Sequence, residues 1–264
     1  YACYQLGQIK IKKMNTRNVK SMAYMFYYCQ SLREFDVSGF DTSSVTDMSY
    51  MFGDCNLLGN LNVSNFETSQ AENFAFMFGG CRFIKSLDFS NFRTSKAKSM
   101  SKMFYGMVSI YSLDLSSFDT SLVEDMSGMF QYCSTLNSLD ISSFSTRNVN
   151  CTSSMFANCL SLKSLDVSHF DTSKVTDMSF MFGECSSLKK LDVSGFETKN
   201  SFTMFHMFHG CSSLVDLDVS KFNTANVKSM AFMFYQCANL AQIDVGNLDT
   251  SNVPKLTSVK LSQV

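Results

Sequence analysis

A Met-Phe pair recurs at residues 25, 51, 77, 103, 129, 155, 181, 207 and 233, always 26 residues apart. Other columns keep the same register without insertion or deletion. Thr stands at 16, 42, 68, 94, 120, 146, 172, 198, 224 and 250, and Cys at 3, 29, 55, 81, 133, 159, 185, 211 and 237, with Met107 in the missing place. The acidic column is Asp36, Asp88, Asp114, Asp140, Asp166, Asp192, Asp218 and Asp244, with Asn62 filling its gap. A repeat of this length is the signature of a solenoid, because so small a unit cannot bury its own apolar face and needs a stacked neighbour. A single globular core gives no reason to keep ten threonines in register. One solenoid domain over 1–264 is expected, of about ten coils, with a partial first coil at 1–24 and an irregular closing segment at 254–264.

Composition narrows the function classes. With 22 Lys plus Arg against 23 Asp plus Glu, the formal charge is -1. That excludes the electrostatic footprint of a nucleic-acid binder and a polybasic membrane patch. A hydrophobic content of 45% excludes disorder. No apolar run reaches the roughly 18 residues of a membrane-spanning helix, so membrane insertion is not expected. The start, Tyr1-Ala2-Cys3-Tyr4, lacks a signal-peptide pattern, and the only proline, Pro254, interrupts the last copy. The chain reads as a piece of something larger.

Within one coil, Leu188-x-x-Leu191-Asp192-Val193-Ser194 alternates apolar and polar residues and reads as a short strand. Its copies would pair in parallel about 4.8 Å apart, so ten coils would stack to roughly 50 Å. The turn after it, Phe40-Asp41-Thr42-Ser43, is rich in side-chain acceptors. Val45, Met48, Phe52, Cys55 and Leu58 then fall at steps of three and four, which predicts a short helix capped by Thr42 or Ser43. The expected fold class is α/β, with a parallel sheet on one face of the solenoid and short helices on the other.

The run L-x-x-L-D-V-S-x-F matches the first half of a leucine-rich repeat. The longer unit resembles the BspA-like leucine-rich repeat surface proteins of bacteria, in the branch with the F-D-T-S-x-V-T-D-M-S-x-M-F-x-x-C signature, seen here from Phe170 to Cys185. The resemblance covers residues 1 to 253 and implies an LRR-type solenoid, displayed at the cell surface and used for adhesion, with no catalytic residues to carry over. Departures are local: Met107 for Cys, Phe74 and Thr152 for Met, Ser201 for Val, Leu248 for Phe.

Chemistry is sparse. The Cys column falls on the inward stripe, where a small apolar residue belongs, and Met107 shares it, so buried free thiols are expected rather than disulfides. Cys151 stands outside it, in a column of Ser, Asp, Asn and Thr, and should be exposed. The eight acids form a ladder on the outer face of the sheet, with a Ser column beside them to donate hydrogen bonds and Lys85, Lys163 and Lys190 as counter-charges. One carboxylate per coil is thin supply for calcium, which takes six or more oxygens. A single Thr column does not make the paired ladder of an ice-binding face. All 18 methionines are placed in the core columns or at Met14 and Met107. No metal site and no cofactor are expected.

Two faces are candidates for binding. On the strand side, the acids and the variable position bearing Lys85, Tyr111, Lys163 and Lys189 form one. On the other side, Tyr24, Tyr50, Phe76, Phe180, His206 and Phe232 share a column that would be exposed on a helix. Exposed aromatics suit contact with protein or sugar, whereas an irregular segment would pack them between coils. His206 and His209 lie near each other without further metal ligands. No nucleophile, His and acid recur together, and no phosphate loop exists. The expectation is a non-enzymatic adhesive module for an extracellular protein or glycan. A structural spacer, or a stalk that self-associates through its coil ends, is the competing reading.

Overall fold

The computed structural model describes residues 5, 7–9 and 14–253. The expected closing segment at 254–264 and Cys3 lie outside these residues, and the expected partial first coil at 1–24 lies partly outside them.

Parallel main-chain pairing joins the 26-residue coils on two sides, intermittently on one and from coil to coil on the other. On one side, β1 (Gln8–Ile9), β2 (Glu34–Phe35) and β3 (Asn60–Leu61) form a three-stranded parallel sheet in which Gln8 pairs with Glu34 and Glu34 with Asn60. Lys190 pairs with Asp216 in the same column further along. The strands are two residues long, shorter than expected, and the acidic column explains why. Immediately after β2 the Asp36 Oδ1 accepts the Ser38 amide at 2.9 Å, as Asn62 Oδ1 accepts that of Ser64 after β3, and the Phe40 amide then closes a turn onto Val37 at 3.0 Å. Those amides are committed to the turn and cannot extend the ladder.

The second ladder runs through Ser21, Asp47, Asn73, Ser99, Asp125, Cys151, Asp177, Thr203 and Ser229. Beyond it the sequence predicts a helix, and here the structure corrects the expectation: among the described residues no helix forms. Alternate amides leave the coil instead. Met48, Tyr50, Phe52 and Asp54 donate to Asn73, Ala75, Met77 and Gly79 of the next coil at 2.7–3.0 Å, while Met51, Gly53 and Cys55 close turns onto Met48, Tyr50 and Phe52 at 3.0–3.2 Å. Each turn closes onto the residue three back, and Met48, Met51, Phe52, Cys55 and Leu58 are buried, so the turns place apolar side chains inward much as a helix does. Two positions per coil have left-handed backbone, Tyr50 at φ 57° and Asp54 at φ 55°, each the third residue of a turn, where a type II turn requires positive φ. A helix would close every amide within its own coil and leave neighbouring coils joined by side chains alone.

The core is one continuous column. Phe26, Phe52, Phe78, Phe104, Phe130, Phe156, Phe182, Phe208 and Phe234 stack ring on ring, with centroids 5.7–6.2 Å apart. The Leu, Val and Met columns enclose it. The threonines do not cap helices. Thr16 to Thr224 are buried, with only Thr250 exposed, and each buried one joins two coils, as Thr42 Oγ1 does by donating to the Glu67 carbonyl at 2.9 Å and accepting the Glu67 amide at 2.8 Å. Equivalent bonds recur from Thr16 to Thr224. That double use of one hydroxyl accounts for a column with no substitutions.

Candidate binding faces

The strand face is built from residues that leave the core alternately. Leu113, Leu139, Leu165 and Leu191 point inward and are nearly buried, while their neighbours on both sides point out. An open groove of about 600 Å³ crosses these coils, lined by Ser112, Ser138, Ser164 and Lys190 on one margin and Asp140, Asp166 and Asp192 on the other. Asp114 borders an adjoining hollow with Ser116 and Ser142. Asp36, Asp88, Asp218 and Asp244 repeat the geometry outside the groove, and Lys85, Tyr111, Lys163 and Lys189 are exposed but do not line it. Lys190 is the cation that does.

The acids repel one another less than their spacing suggests, because each is held by its own turn. The Ser194 hydroxyl donates to Asp192 Oδ1 at 2.7 Å and the Ser194 amide at 2.9 Å, and these two bonds hold the carboxyl below its ordinary range against the weaker opposing charges of Asp166 and Asp218. Asp114 and Asp166 are held the same way by Ser116 and Ser168. These carboxylates stay charged and still offer a second oxygen to a ligand. Among the described residues no group of three or more His, Cys, Asp or Glu is arranged to hold a metal ion.

The aromatic column adopts the packing alternative. Its residues occupy the left-handed position of the turns, from Tyr24 at φ 59° to Phe232 at φ 58°. Their rings fold over the residue three further on and stack along the solenoid. Tyr24 stacks on Tyr50 at 4.6 Å and Tyr50 on Phe76 at 5.0 Å, with Tyr27 meeting the first two edge-on. Glycines at 53 and 79 make the room: a Cβ on Gly79 would lie 2.6 Å from the Phe76 ring. A second cluster holds Phe180 stacked on His206 at 4.5 Å and Phe232 tilted against it at 4.9 Å. Between the two, the column carries Lys102, Gly128 and Ser154. Tyr24 is half-exposed and the other rings of the column are partly buried.

The thiols are spent on the backbone. Cys55 Sγ donates to the Phe26 carbonyl of the preceding coil at 3.1 Å, and Cys81, Cys133, Cys159, Cys185, Cys211 and Cys237 repeat the contact. Burial pushes the Cys133 and Cys185 thiols up to about 12, so they are poor nucleophiles. Cys151, expected to be exposed, is half-buried in the second ladder, paired with Asp125 and Asp177.

Sequence reasoning overlooked the second left-handed column, Tyr28, Asp54, Gly80, Gly106, Tyr132, Asn158, Glu184, Gly210 and Gln236. Its signal was present, since Gly, Asn and Asp fill five of those nine places and are the residues that tolerate positive φ.

Twenty-six-residue coils, a short parallel sheet on one side and a continuous apolar core define a repeat solenoid of the leucine-rich-repeat class. The chain is similar in structure to a leucine-rich repeat protein from Eubacterium ventriosum, with a TM-score of 0.50 and 16% identity over 88% of this chain. It spans 66% of that protein's chain, and the likeness concerns the fold. A leucine-rich repeat protein from Bacteroides ovatus matches over 91% of this chain and 86% of its own at 17% identity, with a TM-score of 0.35. The chain belongs to the family described as "Mycoplasma protein of unknown function, DUF285", which it matches over residues 2–112, 82–189 and 161–261. No curated protein matches it in sequence.

Proposed function

We propose that this chain is a non-enzymatic, BspA-like leucine-rich-repeat module at the bacterial cell surface that binds an extracellular protein or glycan through its strand face. The groove carries the reading: about 600 Å³ of open space crossing several coils, with serines and Lys190 on one margin and carboxylates on the other of a nearly buried leucine floor. A fixed interior beneath changeable outward positions suits recognition, since Lys85, Tyr111, Lys163 and Lys189 replace one another without touching the core. Burial of the thiols against Phe carbonyls is compatible with an oxidising exterior. The module uses no cofactor, does not enter the bilayer and takes no nucleic acid.

The uninterrupted Thr and Phe columns also favour a second reading, a stiff spacer or a stalk that associates through its coil ends. A binding screen of the chain against extracellular-matrix proteins and polysaccharides separates the two. Saturable binding should fall at least about tenfold, roughly 1.4 kcal/mol, when Asp140, Asp166 and Asp192 become Asn. Loss instead on changing Tyr24, Tyr50 and Phe76 to Ser would move the site to the aromatic column. Binding to none of the panel would favour the spacer.

A further inference from the structure

His206 lies in a shell of rings. Phe180 from the preceding coil stacks on it at 4.5 Å, Phe232 from the following coil packs at 4.9 Å, and Phe205 and His209 from its own coil lie 4.1 and 4.6 Å away. Phe205 is itself a departure, for its copies are Ala23, Ser49, Ala75, Ser101, Ser127, Ser153, Ser179 and Ala231. This coil has therefore acquired an extra ring beside its histidine. Nδ1 of both His206 and His209 is buried without a hydrogen-bond partner. The titratable groups around the pair are Glu184 from the preceding coil, whose Oε1 lies 2.9 Å from His209 Nε2, and Tyr235 from the following coil, which stacks on His209 at 5.3 Å.

We propose that the His206–His209 pair makes this end of the solenoid acid-sensitive: protonation of His206 loosens the junction between the coils carrying Phe180, His206 and Phe232, while the tyrosine stack at Tyr24, Tyr50 and Phe76 stays closed. A proton on Nδ1 would create a charged donor facing no acceptor, in a site already poor in water. A cation over the Phe180 and Phe232 faces recovers part of that cost. Desolvation nevertheless dominates, with His209 adding to it, and together they hold His206 below its ordinary value. The sign follows. The open form binds the proton more readily than the closed form, so opening is favoured as pH falls below about 6.5, the value of an unperturbed histidine. The acids of the strand face, held below their usual range, do not change charge in that window.

Hydrogen exchange on the intact chain tests this through the amides that cross the junction: His206 to Ala231, Phe208 to Met233 and Gly210 to Tyr235. After correction for the intrinsic pH dependence of exchange, their protection should fall by about tenfold between about pH 7.5 and about pH 5.5, the limit for one histidine that must stay neutral when closed. Tyr24 and Phe26, which donate to Ser49 and Met51, should keep theirs. His206→Phe copies the residue found at 180 and 232 and should abolish the fall, and His209→Tyr copies 235 and should reduce it. No fall in the wild-type chain, the same fall in His206→Phe, or an equal fall at Tyr24 and Phe26 would overturn the proposal.

Discussion

The two aromatic clusters share one backbone and differ in chemistry. Near the N-terminus, Tyr24, Tyr50 and Phe76 stack over Gly53 and Gly79; towards the C-terminus, Phe180 stacks on His206 and Phe232 packs tilted against it in the same column, with Phe205 added and His209 and Tyr235 beside them. Both rest on left-handed residues with φ between 56° and 59°. Beneath each runs the same phenylalanine stack, Phe26 to Phe78 in one case and Phe182 to Phe234 in the other. The frame is therefore indifferent to what it carries outside. Inter-coil amide bonds and buried columns fix the geometry, and the outward positions are free to acquire titratable groups. Only the C-terminal cluster holds histidines.

The largest effects should not distinguish the clusters. Phe52→Ala and Phe208→Ala each remove a fully buried ring from the central stack, and each should lower the unfolding free energy by about 3–5 kcal/mol in denaturant titration. Unequal losses would mean that the two halves of the core are not equivalent. Gly79→Ala should cost about 1–3 kcal/mol, because its Cβ would meet Cγ, Cδ2 and Cε2 of Phe76 at 2.6–2.7 Å and force the ring off Tyr50. Gly183→Ala should cost less, since the nearest Phe180 atom would be 3.1 Å away. Ala157, under Ser154, shows that alanine is accommodated where no ring must be covered.

The smallest effect has the opposite sign to that of His206. Burial holds the Asp54 carboxyl above its ordinary value, although the Tyr27 hydroxyl and Arg82 act the other way. Here the folded form binds the proton more tightly than the unfolded one. Its contribution is thus present below the unfolded value of 3.8 and is lost as pH rises through the higher folded value. In thermal unfolding, the Tm of Asp54→Asn should shift slightly upward relative to wild type as pH rises from about 3.5 to about 6. An unchanged profile would remove Asp54 from the comparison.

Much of this was legible in the residues. The unbroken 26-residue period declares coils stacked in register, and the Phe, Met, Leu and Cys columns declare the core, because burial depends on side-chain type and registers in the period directly. The binding faces were half legible. The Asp column could be seen to point outward with serine donors beside it, as Ser116, Ser168 and Ser194 are, yet the entry of Lys190 rather than Lys189 into the groove depends on where the chain turns.

The helix at Val45–Leu58 is the instructive failure. Steps of three and four are shared by a helix and by consecutive turns, so the spacing sets which side chains face inward and is silent on where the amides go. Only the stacked neighbour decides that. With another coil alongside, the Tyr50 amide finds the Ala75 carbonyl at 2.8 Å, and Thr42, which the sequence assigns to a helix cap, bonds Glu67 instead. The sequence by itself determined the repeat, its inward columns and the residues free to vary. The choice between helix and turns, and the stacking of the aromatic column into two clusters of different chemistry, rested on contacts about 25 residues away along the chain, which no local pattern encodes.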